Sequence, residues 1–204
     1  MQNEKERILE TAEEIFLEEG FYKTSMDDLA LRLRMSKKTI YKNFPSKERL
    51  VRDALLRFVK INARGIDEAI GGDASAVEKF YGFVQFLAKL ASRVKPRLLN
   101  DLKARSPELF AELDAYRSKR VLSAFPKILE QGKREGTFEE FRHEVALGVI
   151  LGAVREVLTP DYVLANNLTF QEAGPMVFDI LMNGLMTDKG RREYRKIKRG
   201  AKKK

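Results

Sequence analysis

Residues Thr24 to Leu50, TSMDDLALRLRMSKKTIYKNFPSKERL, constrain the fold more tightly than any other stretch of the chain, because they place two capped helix starts on either side of a very short turn. Ser25 and Asp28 form an S-x-x-D pattern, so a helix is expected from Met26, with Asp27 and Asp28 at the positive end of its dipole. Met26, Leu29, Ala30 and Leu33 give it one apolar face. Arg34-Met35 reads as the turn, and Ser36 caps a second helix over Lys37 to Phe44, which ends because Pro45 disfavours helical geometry at Phe44. A helix, a turn of a few residues and a second helix make a helix-turn-helix.

The second helix carries the chemistry. With Ile40 set to zero on a wheel of about 100° per residue, Phe44 lies about 40° away, Lys38 and Lys42 lie roughly opposite, and Thr39 and Tyr41 flank them. Ile40 and Phe44 are expected to pack inward. The outward face then offers lysines and hydroxyls, which suit phosphates and base edges in a major groove wide enough for a helix.

These residues resemble the tetracycline-repressor (TetR) family of bacterial regulators. The resemblance rests on an opening amphipathic helix ending in Gly20-Phe21, then Thr24-Ser25, Leu29-Ala30 and Ser36-Lys37-x-Thr39-Ile40-Tyr41-x-x-Phe44-x-x-Lys47-x-x-Leu50, and covers roughly the first quarter of the chain. Two positions depart from the family pattern: Arg34 and Lys38 stand where the family often has Gly. Arg34 is therefore expected in a left-handed conformation, at a cost of about 1 kcal/mol. The resemblance implies an all-α protein, with a three-helix DNA-binding domain over residues 1–46 and an all-helical ligand-binding and dimerisation domain over 47–188. About nine helices are expected, with 47–70 as the connecting helix. Carried over residue by residue, it assigns Lys37, Lys38, Thr39 and Lys42 to base edges and nearby phosphates, Thr24, Ser25, Tyr41 and Lys47 to phosphate clamps, and Ser36 to the same DNA-binding set. It implies a homodimer on a palindromic operator in double-stranded DNA, acting as a repressor released by a partly apolar small-molecule effector. The alternative is a DNA-binding protein of the same fold controlled by a protein partner.

Charge supports DNA binding only locally. Of the net +9, residues 189–204 hold ten Lys or Arg against one Glu, so residues 1–188 hold 29 of each sign and sum to zero. From Arg34 to Arg49, however, six basic residues face Glu48 alone, and a neutral domain with one basic face is a sharper footprint than a uniformly basic one. The tail, with few apolar residues and nearly one charge sign, is expected to be disordered, adding salt-sensitive attraction to polyanions or serving only solubility.

Hydrophobic residues at 44% and charged residues at 34% are typical of a globular protein. No apolar run approaches the ~20 residues of a membrane span and residues 1–20 are charged throughout, so no membrane insertion and a cytoplasmic location are expected. With no Cys, no nucleophile elbow, no phosphate loop and a single histidine, His143, no catalytic residue, metal or cofactor is expected. Asn3 and Glu6 resemble a capping box for the opening helix, which Gly20 stops.

Beyond Ser46 the periodicity stays helical. Lys47 sits at a helix N-terminus, where it either shares a phosphate with free backbone N–H groups or is solvated. A helix runs from there toward Ile70 and breaks at Gly71-Gly72-Asp73; others are expected over Ser75–Val94, Leu98–Ala104, Pro107 to about Arg134, Glu139–Leu158 and Phe170–Met186. Pro126 is expected to kink or break the third of these five, and Gly174-Pro175 to delay the last. Phe80, Phe83, Phe86, Phe110 and Tyr116 either line an apolar ligand pocket or form core, and Asn100, Arg105 and Arg120 either orient a ligand or face solvent. Gly148, Leu151 and Gly152, with Val177, Ile180 and Leu181, are the candidates for a four-helix dimer interface.

Overall fold

The structure, a computed structural model, describes residues 4–201, apart from the side chains at positions 91, 121, 122, 143, 154, 155, 160, 161, 164, 170 and 171. The Asn3 cap and the side chain of His143 lie outside the described residues. Eleven helices follow in order: α1 Glu4–Glu19, α2 Met26–Leu33, α3 Lys37–Asn43, α4 Lys47–Ile70, α5 Ala76–Arg93, α6 Pro96–Arg105, α7 Pro107–Glu135, α8 His143–Val157, α9 Pro160–Ala165, α10 Phe170–Leu185 and α11 Asp188–Ala201. The fold is all-α, with the three-helix helix-turn-helix domain at its start followed by further helices. The described chain divides into two compact units, residues 1–63 with 93–117, and residues 64–92 with 118–204. The division between these units falls inside α4, and α6 with the start of α7 joins the first unit.

In the first unit, Ile8, Phe16, Leu29, Ile40, Phe44 and Leu50 are buried together with α6 residues Leu98 and Leu102. An ionic cluster fastens α1 to α4. Arg57 donates from Nε, Nη1 and Nη2 to Glu6, Glu13 and Glu10 at 2.5, 2.6 and 2.8 Å. Glu13 has a side chain only 8% exposed, with Arg93 3.7 Å from its other oxygen. Burial raises the Glu13 carboxyl above its ordinary value, and the hydrogen bond and charge of Arg57 oppose that rise.

In the second unit, the rings of Phe80, Phe83, Phe125, Phe138 and Phe178 pack on one another, with centroids 5.3–6.5 Å apart. Four expectations change here. α7 continues through Pro126 unbroken, because Ala124, Phe125, Ile128 and Leu129 are buried on both sides of it and their packing outweighs the lost hydrogen bond. α8 begins at His143, not Glu139: residues 137–139 are extended and pair with 185–187, with Glu139 N donating to the Leu185 carbonyl and Thr187 N to the Thr137 carbonyl. α10 starts on time at Phe170, since a reciprocal capping box between Thr169 and Glu172 anchors it ahead of Pro175. The short α9 follows Thr159, whose Oγ1 accepts from Tyr162 N at 3.2 Å.

The expectation of a disordered tail is also corrected, for residues 189–201. These form α11, because Tyr194 is buried, stacks edge-on to Tyr81 at 6.1 Å and donates to Asp179 at 2.7 Å. Gly190 presses on the Thr137 carbonyl, where a Cβ would come within 2.0 Å of the oxygen.

Candidate nucleic-acid interface

The reading helix α3 owes its orientation to the turn before it. Ser25 and Asp28 cap α2 reciprocally, Ser25 Oγ accepting from Asp28 N at 3.1 Å and Asp28 accepting from Ser25 N at 2.8 Å. Arg34 closes α2 in the left-handed conformation, φ 53° and ψ 44°, and the backbone N–H groups of Arg34 and Met35 return to Leu31 and Ala30. Arg7 supports the same corner by donating to the Leu33 carbonyl at 2.9 Å. Ser36 Oγ then caps α3 by accepting from Thr39 N at 3.0 Å, and shares a 2.9 Å hydrogen bond with the Thr39 hydroxyl.

Ile40 and the capping Phe44 are fully buried beneath α3, and Tyr41 is 45% exposed. Lys38 and Lys42 are exposed and make no hydrogen bond or ion pair among the described residues. Lys37 is also exposed but pairs with Asp27 at 2.8 Å, which raises its ammonium above the ordinary lysine value. A single short helix thus holds two free cations, an accessible phenol and the Thr39 side chain over a rigid apolar base.

Three of the four expected clamp residues are already engaged within the fold. Thr24 is buried and its hydroxyl donates to the Gly20 carbonyl at 3.0 Å, while Ser25 is spent on the α2 cap. At the start of α4, Ser46 accepts from Arg49 N at 3.2 Å and Lys47 Nζ donates to the Tyr22 carbonyl at 3.2 Å, which ties the α1–α2 loop to the α4 N-terminus.

Sequence reasoning missed the brace on that loop from α6. Asp101 accepts from the backbone N–H groups of Phe21 and Tyr22, both at 2.8 Å, and sits where a Cβ on Gly20 would fall, 2.4 Å from its oxygen. Gly20, at φ +76°, makes room for it. Arg105 lies 4.0 Å from the centroid of the Tyr22 ring, and Lys95 N donates to the Leu17 carbonyl at 3.1 Å. Nothing local marks Asp101, which stands about 80 residues from its partners.

Residues 8–54 match the sequence model of the bacterial regulatory proteins of the tetR family, a span that holds the whole helix-turn-helix just described. The chain belongs to the TetR family. It is a DNA-binding transcriptional regulator. It is 27% identical over 184 residues to the uncharacterised HTH-type transcriptional regulator YvaF of Bacillus subtilis, covering 89% of this chain and 95% of that one. Over 86 residues, 39% of each chain, it is 30% identical to the HTH-type transcriptional activator FasR of Mycolicibacterium smegmatis. Its fold is similar to that of SmeT, the repressor of the Stenotrophomonas maltophilia multidrug efflux pump SmeDEF, with a TM-score of 0.66 at 15% identity over 92% of both chains.

The other expected site residues are distributed differently. Phe80 and Phe83 are fully buried in the aromatic cluster of the second unit, and Phe86 packs on Gly65 so closely that a Cβ there would come within 2.5 Å of its ring. Phe110 and Tyr116, half-buried, belong to the first unit. Arg105 is engaged with Tyr22 and Arg120 with Asp67. Of the interface candidates, Val177 and Leu181 are buried, because with Phe178 and Met182 they form the side of α10 that joins the buried cluster of the second unit. Ile180 is 73% exposed, Leu151 and Gly152 are partly exposed, and Gly148 is exposed. Val145, Val149 and Met176, left out of the expected set, are 56–59% exposed. No helix among the described residues is long and apolar enough to cross a membrane.

Proposed function

We propose that the protein is a homodimeric repressor that binds a palindromic operator through α3 and is released by a small-molecule effector. The observation that carries the DNA contact is the exposed, unpaired pair Lys38 and Lys42 on a helix locked from below by Ile40 and Phe44. On this reading Lys38, Thr39 and Lys42 meet base edges and nearby phosphates, with Ser36 orienting Thr39 through their shared hydrogen bond and Lys37 joining them by leaving Asp27. Tyr41, Lys47 and the Thr24–Ser25 corner hold the flanking phosphates. Neighbouring helices α8 and α10 each expose two large apolar side chains one turn apart, Val145 with Val149 and Met176 with Ile180, beside Gly148 and Gly152. A two-fold pairing of these helices would cover the patch and set two copies of α3 on successive major grooves, with half-sites about one helical turn apart or somewhat more. An effector would favour the dimer state whose α3 separation misfits DNA.

A second reading, control by a protein partner without a small-molecule ligand, is favoured by the aromatic cluster itself. Phe80 and Phe83 have no exposed surface, so a ligand entering there must first part rings that stack on one another.

Selection of bound sites from random DNA tests the first reading, with a symmetric consensus at that spacing expected. An asymmetric or single half-site consensus refutes the two-fold arrangement. A screen of lipophilic and cationic compounds separates the two readings, because a true effector both raises the melting temperature and lowers operator affinity.

A further inference from the structure

α11 is basic, ordered and sorted by charge around its axis. With Arg192 at zero on the helical wheel, Arg195, Lys196 and Arg199 fall within an arc of about 100° around it. All four are exposed, and none makes a hydrogen bond or an ion pair among the described residues. The rest of the helix is largely consumed by the fold. Tyr194 and Lys198 both bond to Asp179, Glu193 accepts from Ser75, Lys189 donates to the Glu135 carbonyl, and Ile197 packs on the core. The acidic groups of the helix are taken too: Glu193 faces inward, and Asp188, in the first turn, is paired with Arg191, with Arg192 and Arg195 adding to the pull that keeps it ionised.

The geometry points to Arg192, Arg195, Lys196 and Arg199 as a second, sequence-independent contact for the phosphate backbone of duplex DNA, separate from α3. This stands beside the DNA-binding reading and does not depend on where α3 holds its duplex. The seven residue steps from Arg192 to Arg199 rise about 10 Å, and phosphates on one strand recur about every 3.4 Å along the duplex axis, so the stripe spans roughly three of them. The outward arc offers no apolar side chain, because Tyr194 and Ile197 are turned inward. A helix that inserts into a lipid surface, or that docks on a protein, needs such an apolar face; a phosphate row needs only charge.

The full chain is titrated with a random-sequence duplex of about three helical turns by fluorescence anisotropy across a salt series. The quadruple variant Arg192→Gln, Arg195→Gln, Lys196→Gln, Arg199→Gln is compared with the triple variant Arg192→Lys, Arg195→Lys, Arg199→Lys, which keeps the charge. Two to four lost phosphate contacts reduce the slope of log affinity on log salt by about 1.8 to 3.6, which for a loss of 2 is roughly 100-fold weaker binding near 0.1 M salt. The lysine variant keeps the wild-type slope. An unchanged slope in the glutamine variant, or an equal loss in both, overturns the assignment. So does wild-type binding to phosphatidylserine vesicles in preference to duplex, lost in the glutamine variant, because it would transfer the face to lipid. Lys38→Gln with Lys42→Gln, tested on the selected operator, separates the two claims. If that pair abolishes operator binding while the α11 variant keeps its slope, only the present inference fails. If the pair leaves operator binding intact, the regulator's α3 contact fails instead.

Discussion

If the proposed dimer forms through α8 and α10, Ile180→Asp should abolish it while leaving the protomer folded. Full burial of an Ile side chain contributes about 1.5–3 kcal/mol, and 73% of Ile180 is still exposed in the isolated chain. Covering the remainder is therefore worth about 1–2 kcal/mol per copy. An isologous interface uses the position twice, so deletion costs about 2–4 kcal/mol, a weakening of roughly 30- to 1000-fold. The aspartate adds a further penalty, since its charge would be desolvated opposite its symmetry mate. Because the side chain faces away from the core, the helical circular dichroism signal and the melting temperature of the monomer should match those of wild type. Sedimentation velocity over a concentration series reads the dissociation constant directly. An Ile180→Asp protein with the wild-type dissociation constant would show that α8 and α10 do not meet a second copy by this face.

Lys47→Ala should weaken binding by a similar factor on every DNA sequence, whereas Thr39→Ala should shift the preferred base; wild-type affinity of both on the selected operator at moderate salt would remove these contacts. Arg57→Met leaves Glu13 buried with Arg93 at 3.7 Å, so urea unfolding should show a loss of about 3 kcal/mol, kept below the full cost of a broken buried pair because Glu6 and Glu10 can rehydrate. Arg57→Met combined with Glu13→Leu should recover most of that loss, and a single-variant loss under about 1 kcal/mol contradicts the account. Glu13 holds its proton to higher pH in the fold than in the unfolded chain, so its contribution to stability is full below the ordinary value of 4.5 and is lost as pH rises through the raised one. Glu13→Gln should therefore lose less stability than wild type between pH 4.5 and neutrality; parallel urea midpoints across that range would be inconsistent with this. Gly190→Ala drives a methyl into the Thr137 carbonyl and should cost about 1–3 kcal/mol, with faster tryptic cleavage within α11; a wild-type cleavage rate would show that this close approach does not hold the helix.

The helix-turn-helix was legible because its determinants are local. Caps at Ser25 and Ser36, the stop at Pro45 and the opposition of Ile40 to Lys38 and Lys42 each depend on residues within a turn or two of one another, so periodicity and capping chemistry suffice to place them. The helices after residue 46 were legible in number and order to within α9 and α11, for the same reason. The left-handed Arg34 was also readable, but only through the resemblance, from the glycine that the family often carries at that position.

What tertiary structure alone decided is which partner each group finds across long separations. Asp101 bracing the Phe21 and Tyr22 amides, Arg57 gathering three carboxylates, and residues 137–139 pairing with 185–187 all depend on contacts that no local pattern encodes. α11 is the sharpest case. By composition its residues are a solvated tail, yet one tyrosine, one isoleucine and a glycine at the right register supply a face that the second unit buries. Sequence alone determined that α3 would turn Lys38 and Lys42 outward, because that follows from the helical period. Whether Val177 or Ile180 faced outward, and whether the basic tail became a helix, depended on the surface available to bury them, and only the packed core provides that surface.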